Sequence, residues 1–552
     1  IILSNINKKK FIKKNLDLFK KNDLYLAAKN NVGIIKNFYN GKLDTLKFYN
    51  DDKILFNNKN KKIFIEFNFS KNISTNKIID QSVNKLHGTL INNPSRGVVG
   101  FNWTEKARSW KNNPEAYTSI HFHEDDLTDC KWKTDFKFKI PNSIVSGIYA
   151  VKLFNKNNEF YIPFCLKPKI SQSKNKILFV MPTSSYLAYA NNRIALDVPE
   201  TETVCSRLIE INDHDLFLQE TPELGLSFYD VHNDGSPVFY SSKRRPIINF
   251  QPKTKGVLGG LGSNVWQFNA DTHILGWLDH FNYKFDVICD SDLHKEGKNL
   301  LKNYDVLITG SHPEYYSLNM IKNIEKFKNN GGRLMYLGGN GFYWRISYDK
   351  YTTDIIECRK SEVGIRATET HPGESYASLT GEYTGLWRRN DHSPNKLVGV
   401  GMVSQGFDVS SPYFRTKQSY NKKVRFIFEG IKENMIGNFG LSGGGAAGLE
   451  IDSYKDLESP ENTIILASSK QHTDVYLMTP EDLLDPVPGI GGTESENIKS
   501  DMVFFETKNN GAVFSVGSIA WGGSMAWNNF DNNISVVTKN VLNRFLDKKR
   551  FS

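Results

Sequence analysis

Glu314 has the surroundings of a reactive carboxylate. It stands in Ser311-His312-Pro313-Glu314, just after the apolar run 304–308 and the break at Thr309-Gly310, and ahead of a helical stripe at Ile321, Ile324 and Phe327. A strand-length apolar run that stops at glycine and gives way to charged groups is how an open parallel sheet presents chemistry at the carboxyl end of a strand. An imidazole two residues from a carboxylate suits acid–base work, and the same pair suits a cap for the following helix. Two other runs end in the same way. Ile177-Leu178-Phe179-Val180 leads into 183–191, which holds Tyr186 and Tyr189, and 333–337 leads into Gly338-Gly339-Asn340-Gly341. Strand ends of a parallel sheet share one edge, so Glu314, Asn340 and a tyrosine of 183–191 are expected to converge there.

The elements that must position these groups are legible as alternation. Apolar runs at 177–180, 285–289, 304–308 and 333–337 are separated by helical patterns at 269–281 (Ile274, Leu275, Leu278, Phe281) and 321–327, with a closing strand at 512–516 and a terminal helix at 534–546. Strands alternating with helices of this length imply right-handed βαβ units in a mostly parallel sheet. Ahead of them, 1–168 reads as β-rich, with strand-length segments at 63–69 and 147–153 divided by Asn, Gly and Pro, and a sandwich or jelly roll is expected. The fold class is therefore an α/β main domain, 169–552, preceded by an all-β domain, 1–168. Polarity and glycine rise after Asp354, so a loop-rich excursion covering the sheet edge is expected over 354–450. It ends in the glycine-rich turn 443–448 and Glu450.

Composition narrows the function classes. At 552 residues the chain exceeds one compact core, and 39% hydrophobic content supports globular folding. The net charge of +10 comes with lysine crowded among asparagine, as at 8–10 and 59–62, which fits a solvated surface better than a nucleic-acid groove. No apolar run approaches the ~20 residues that span a bilayer. Lysines follow Ile1-Ile2-Leu3, so no cleavable signal is expected, and the absence of an initiator Met suggests native sequence ahead of residue 1. Five scattered cysteines without a C-x-x-C pair fit a reducing cytoplasm.

Several motif matches fail on context. Gly443–Gly448 satisfies G-x-G-x-x-G but lacks the preceding strand and the later acid of a dinucleotide site. Gly440-Leu441-Ser442-Gly443-Gly444 satisfies G-x-S-x-G, yet a run of glycines is a poor start for the helix that a nucleophile elbow needs. His121-Phe122-His123 places two imidazoles on one face of a strand. Taken alone it is half a metal site, and packing or hydrogen bonding at a sheet edge or interface is the expected role. What remains at the sheet edge is carboxylate, phenol, amide and imidazole, a hard oxygen-rich set suited to a hard, highly charged cation.

Longer strings carry a resemblance. Asn93-Pro94-Ser95-Arg96-Gly97-Val98-Val99-Gly100, His121-Phe122-His123-Glu124-Asp125-Asp126-Leu127, Ala188-Tyr189-Ala190-Asn191, Tyr229-Asp230-Val231-His232-Asn233-Asp234-Gly235, His312-Pro313-Glu314-Tyr315 and Gly339-Asn340-Gly341-Phe342-Tyr343-Trp344 resemble the large (beta) subunit of the N,N-dimethylformamidase family. The resemblance runs from about residue 60 to the carboxyl end. It implies a lectin-like β domain on a glutamine-amidotransferase-like α/β domain, and a mononuclear non-haem ferric site held by two tyrosines and one glutamate. Carried over by motif, the glutamate is Glu314 and the tyrosines are Tyr189 and Tyr229, with Tyr186 and Tyr240 as their rivals. His312, Asn340 and Glu450 would line the site as catalytic groups without binding the metal, and Tyr315 would only pack. No separate cofactor-binding residues are assigned.

The function implied is hydrolysis of small N-substituted formamides to formate and an amine. A small helical subunit and a second large subunit are the implied partners, with no nucleic acid or membrane. Two other classes remain open: a non-catalytic sugar- or protein-binding relative with a degenerate amidotransferase-like domain, and a sheet-edge hydrolase using magnesium or manganese.

Overall fold

The computed structural model describes residues 23–49, 63–169, 173–483 and 490–551, with the backbone of two short strands at Ile2–Asn5 and Lys8–Phe11. The lysine side chains at 8–10 and residues 59–62 lie outside the described residues.

Apolar runs with no polar alternation need cover on both faces, and the central sheet supplies it. Its strands stand in the order Phe285–Cys289, Ile177–Met181, Val306–Thr309, Arg333–Tyr336, Ala512–Ser515, Asp501–Glu506, Ile464–Ser469, Tyr413–Arg415 and Met435–Ile436. The first five are mutually parallel, and from Asp501–Glu506 onward each pairing is antiparallel. Alternate residues feed two separate cores. Leu178, Val180, Leu307, Leu334 and Val513 face one, and Ile177, Phe179, Val306, Met335 and Phe514 face the other. Each such side chain contributes about 1.5–3 kcal/mol of burial.

The helices Phe268–His280 and Asn533–Leu546 lie on the second face, with Ile274, Trp277, Leu278, Val537 and Val541 buried. Leu318–Asn329 covers the first with Met320, Ile321 and Ile324. Its start is capped by Ser317, whose Oγ accepts from Met320 N at 3.4 Å. The capping role open to Glu314 is thus filled by Ser317.

The amino-terminal part consists of small antiparallel sheets. One joins Ser95–Val98, Ser119–Phe122 and Gly41–Asp44, another joins Leu46–Tyr49, Ile63–Asn68, Lys77–Asp80 and Gly88–Thr89, and a hairpin pairs Gly147–Phe154 with Glu159–Leu166. Ser146, at the foot of that hairpin, donates to Val287 O at 3.1 Å and accepts from Val287 N at 2.8 Å, fastening it to the edge of the central sheet.

The region expected as loop between 354 and 450 carries more regular structure than its glycine and serine content suggests. Gly401–Ser411 is an eleven-residue strand paired antiparallel with Ala447–Ser453 and with Leu477–Met478. Serines 404, 410 and 411 on it are buried, so its polar composition hid an enclosed strand. Among the described residues no helix is long and apolar enough to cross a membrane.

Candidate active site

The parallel strand ends deliver their side chains to one point. Helix Thr183–Ala188 follows the strand Ile177–Met181 and ends at Tyr189, whose hydroxyl donates to Glu314 Oε2 at 3.0 Å. Glu314 leaves the strand Val306–Thr309 through Pro313, and its backbone N–H donates to Ser185 Oγ at 3.0 Å. Tyr229 arrives on a turn tied by Asp230, which accepts from Ser227 N and Oγ at 2.7 Å each. Its hydroxyl sits 3.2 Å from both oxygens of Glu314. The two phenol rings stack with centroids 4.1 Å apart.

A second carboxylate stands behind the first. His312 Nε2 lies 2.9 Å from Glu450 Oε2 and 3.3 Å from Glu314 Oε2, bridging them. Asn340 Nδ2 donates to Glu450 Oε2 at 3.1 Å, and the Asn340 backbone N–H donates to Asp452 at 2.8 Å. Glu450 belongs to the strand Ala447–Ser453, not to a flexible turn, and is enclosed. Both Asn340 (φ 47°) and Leu449 (φ 65°) hold left-handed backbone, a cost of order 1–3 kcal/mol each that surrounding structure must impose.

Enclosure dominates the electrostatics. Burial pushes the Glu314 carboxyl up to about 7, with His312 opposing. Burial alone would lower the His312 imidazole, but Glu450 and Glu314 outweigh it and the net shift is upward. The phenols of Tyr189 and Tyr229 are held well above the ordinary tyrosine range, by burial first and then by Glu314. The Tyr189 and Tyr229 hydroxyls, 3.0 and 3.2 Å from the same Glu314 oxygen and all three groups disfavoured as anions, form a set that only a nearby cation would let ionise together. Ligands at about 2.0–2.2 Å from one metal stand about 3 Å from each other, so this spacing fits a mononuclear ion. Both ring nitrogens of His312 and Asn340 Oδ1 are buried without a well-aligned hydrogen bond, Nε2 having only its ion pairs to the two carboxylates, which leaves polar capacity for a bound molecule.

All six residues singled out in the sequence, Tyr189, Tyr229, Glu314, His312, Asn340 and Glu450, are brought together. The rival tyrosines are engaged elsewhere, Tyr186 with Asp271 and Tyr240 with Ser378. Three groups escaped the sequence reading. Tyr315, expected only to pack, places its hydroxyl 2.8 Å from that of Tyr229. Lys360 stands 3.9 Å from the Tyr229 ring centroid, its amine pushed down by burial to about 8. Trp266 packs 5.2 Å from the His312 ring and, with Gln267 and Phe250, lines the cleft that reaches Tyr189. Adjacency to Glu314 was the available signal for Tyr315; Lys360 and Trp266 had none.

The profile of a family described as N,N-dimethylformamidase beta subunit-like, C-terminal, matches residues 95–533. The chain belongs to this family. All six clustered residues fall inside the matched segment. The N,N-dimethylformamidase beta subunit of Alcaligenes sp is 41% identical over 477 residues, covering 86% of this chain and 62% of its own length. That of Paracoccus aminophilus is 40% identical with the same coverage. The chain thus spans about 62% of the length of these curated relatives. Among solved structures, the mmIFT52 N-terminal domain aligns over 50% of this chain and 90% of its own, at 10% identity and a TM-score of 0.20, too low to bear on the fold.

Proposed function

We propose that the chain is the catalytic part of an iron-dependent amidohydrolase that cleaves small N-substituted formamides to formate and an amine. The observation that carries this reading is the convergence of the Tyr189, Tyr229 and Glu314 oxygens within 3.0–3.2 Å in an enclosed site of a chain from this family. A ferric ion on that oxygen set would act as a Lewis acid, withdrawing carbonyl electron density that amide resonance otherwise protects.

The chain's own residues supply the proton handling. Glu450, 2.9 Å from His312 and oriented by Asn340, accepts a proton from the attacking water and returns it to the departing amine. Asn340 gives one amide hydrogen to Glu450 and keeps a second, and His312 Nδ1 has no partner, so either can donate to the developing oxyanion, a role worth about 3 kcal/mol. Lys360 over Tyr229 adds positive charge beside the phenol and favours its ionised form.

The same proposal includes a glutamine-amidotransferase-like main domain, supported by the parallel strands with the site at their carboxyl ends, and a lectin-like module over 1–168, supported by its antiparallel sheets. The relatives are named as beta subunits, which supports a second kind of subunit; the proposal takes that partner to be small and helical and also pairs large subunits. The scattered, odd set of cysteines supports a cytoplasmic setting.

Metal analysis and a visible spectrum of the purified protein test the reading. About one iron per chain with a phenolate-to-iron charge-transfer band is expected, and Glu314→Ala, Tyr189→Phe and Tyr229→Phe should each lose iron or shift the band. Amine release from a formamide panel should vanish with the iron. A colourless, iron-free protein that turns over formamides, or an iron-loaded one that releases no amine from any of them, would sink it.

A further inference from the structure

We infer that His121, His123 and Asp234, with Ser236 beside them, form a second metal site, for a divalent cation of the zinc class, joining the β-rich segment to the loop that carries Tyr229. It lies apart from Glu314 and does not depend on the reaction proposed above.

His121 is the penultimate residue of the strand Ser119–Phe122 and His123 lies just past its end, so the strand's alternation puts both imidazoles on one face, with ring centroids 4.1 Å apart. Both Nε2 atoms point at the turn 234–236. His121 Nε2 is 2.8 Å from Asp234 Oδ2 and His123 Nε2 is 3.0 Å from Ser236 Oγ, which also lies 2.5 Å from Asp234 Oδ1 and can turn its one hydrogen to either. The two nitrogens and the carboxylate all lie within 4.8 Å of one another. Ligands around one zinc stand roughly 3–3.5 Å apart for bonds of about 2.0–2.1 Å, so small side-chain rotations complete the set.

The tautomer is arranged for it. Asp126 Oδ1 lies 3.1 Å from His123 Nδ1, and Asp126 Oδ2 accepts from the His123 backbone N–H at 2.9 Å. A carboxylate on Nδ1 leaves the Nε2 lone pair outward, the arrangement that backs metal-bound histidines.

An alternative grouping of His123, Asp126 and His232 fails on geometry. The His123 and His232 rings lie 3.7 Å apart and within 4° of parallel, and lone pairs in two parallel planes do not meet at one ion. His232 is instead held by Asp125, 2.6 Å from its Nδ1, and forms a wall of the site. Two imidazoles, one carboxylate and a hydroxyl or water in the fourth position suit zinc over magnesium or calcium.

The test uses the full chain after chelator treatment, titrated with zinc against a chromophoric chelator. One zinc per chain with submicromolar affinity is expected, retained in Glu314→Ala and weakened at least 100-fold in His121→Ala or His123→Ala. Asp234→Asn, which keeps a hydrogen-bond partner for His121, should weaken it about tenfold with unchanged far-UV circular dichroism. Cobalt(II) should give the intense visible bands of a tetrahedral site, absent in His123→Gln. Zinc uptake only at millimolar concentration, uptake indifferent to the His and Asp substitutions, or uptake lost with Glu314→Ala alone would each overturn the assignment.

Discussion

Enclosed acids in this molecule follow two different fates, set by their neighbours. Asp290 has only Ser184 to favour its charge. It is fully buried, accepts one bond from Ser184 N at 2.9 Å, leaves Oδ1 unpartnered, and burial pushes its carboxyl up to about 8. A folded pKa above the unfolded value near 4 means that the native state holds the extra proton between the two. Its contribution is therefore complete below pH 4 and is lost steadily as pH rises to about 8. Asp290→Asn should flatten the stability profile across that window, removing a slope of up to about 1.4 kcal/mol per pH unit, read from urea melts at several pH values. Glu450 instead has His312 and Asn340 as partners, and its proposed work is proton transfer. Glu450→Gln should keep iron and colour yet lose roughly 10²–10⁴-fold in kcat, a split that a metal ligand would not show.

At the scale of elements, close backbone approach decides where the site sits. A Cβ on Gly339 would meet Glu450 O at 2.4 Å and Ile519 N at 2.8 Å, and one on Gly338 would meet Ser311 O at 2.3 Å. These are main-chain atoms that cannot rotate away, so glycine here lets the end of the strand Arg333–Tyr336 lie against the strand of Glu450. Gly339→Ala should cost about 1–3 kcal/mol in a thermal melt and depress turnover more than a surface substitution of equal stability cost. The parallel strands were readable because both faces are buried and apolar, and their ends located Glu314, Asn340 and a tyrosine of 183–191, the family resemblance choosing Tyr189 over Tyr186. Glu450 was legible only as an acid following a glycine-rich turn, because the glycines at 443–445 concealed the strand immediately after them. Tyr229 had no signal of its own beyond the family resemblance, since its turn is fixed by Asp230 contacts rather than by any periodic element.

The whole molecule is tied across its length by buried charge. Arg359 is fully enclosed, donates to Glu357 at 2.9 Å, and reaches the carbonyls of Arg96 and Gly97 in the amino-terminal part. Tyr117 donates to Gly373 O at 2.6 Å and Trp110 to Ala377 O at 3.0 Å across the same boundary. Arg359→Met would strand Glu357 without its counter-ion at a cost of about 3–5 kcal/mol. Such stitching predicts that calorimetry of the intact chain shows these regions unfolding in a single transition, and a second, well-resolved transition would contradict it. The glycine-walled side of the site has a practical corollary for anyone wishing to alter substrate size. The wall at Gly338 and Gly339 abuts main chain and offers no slack, whereas Trp266, Gln267 and Phe250 present side chains to the cleft at Tyr189. Redesign for bulkier amides therefore has one adjustable wall, and trimming Trp266 is where it begins.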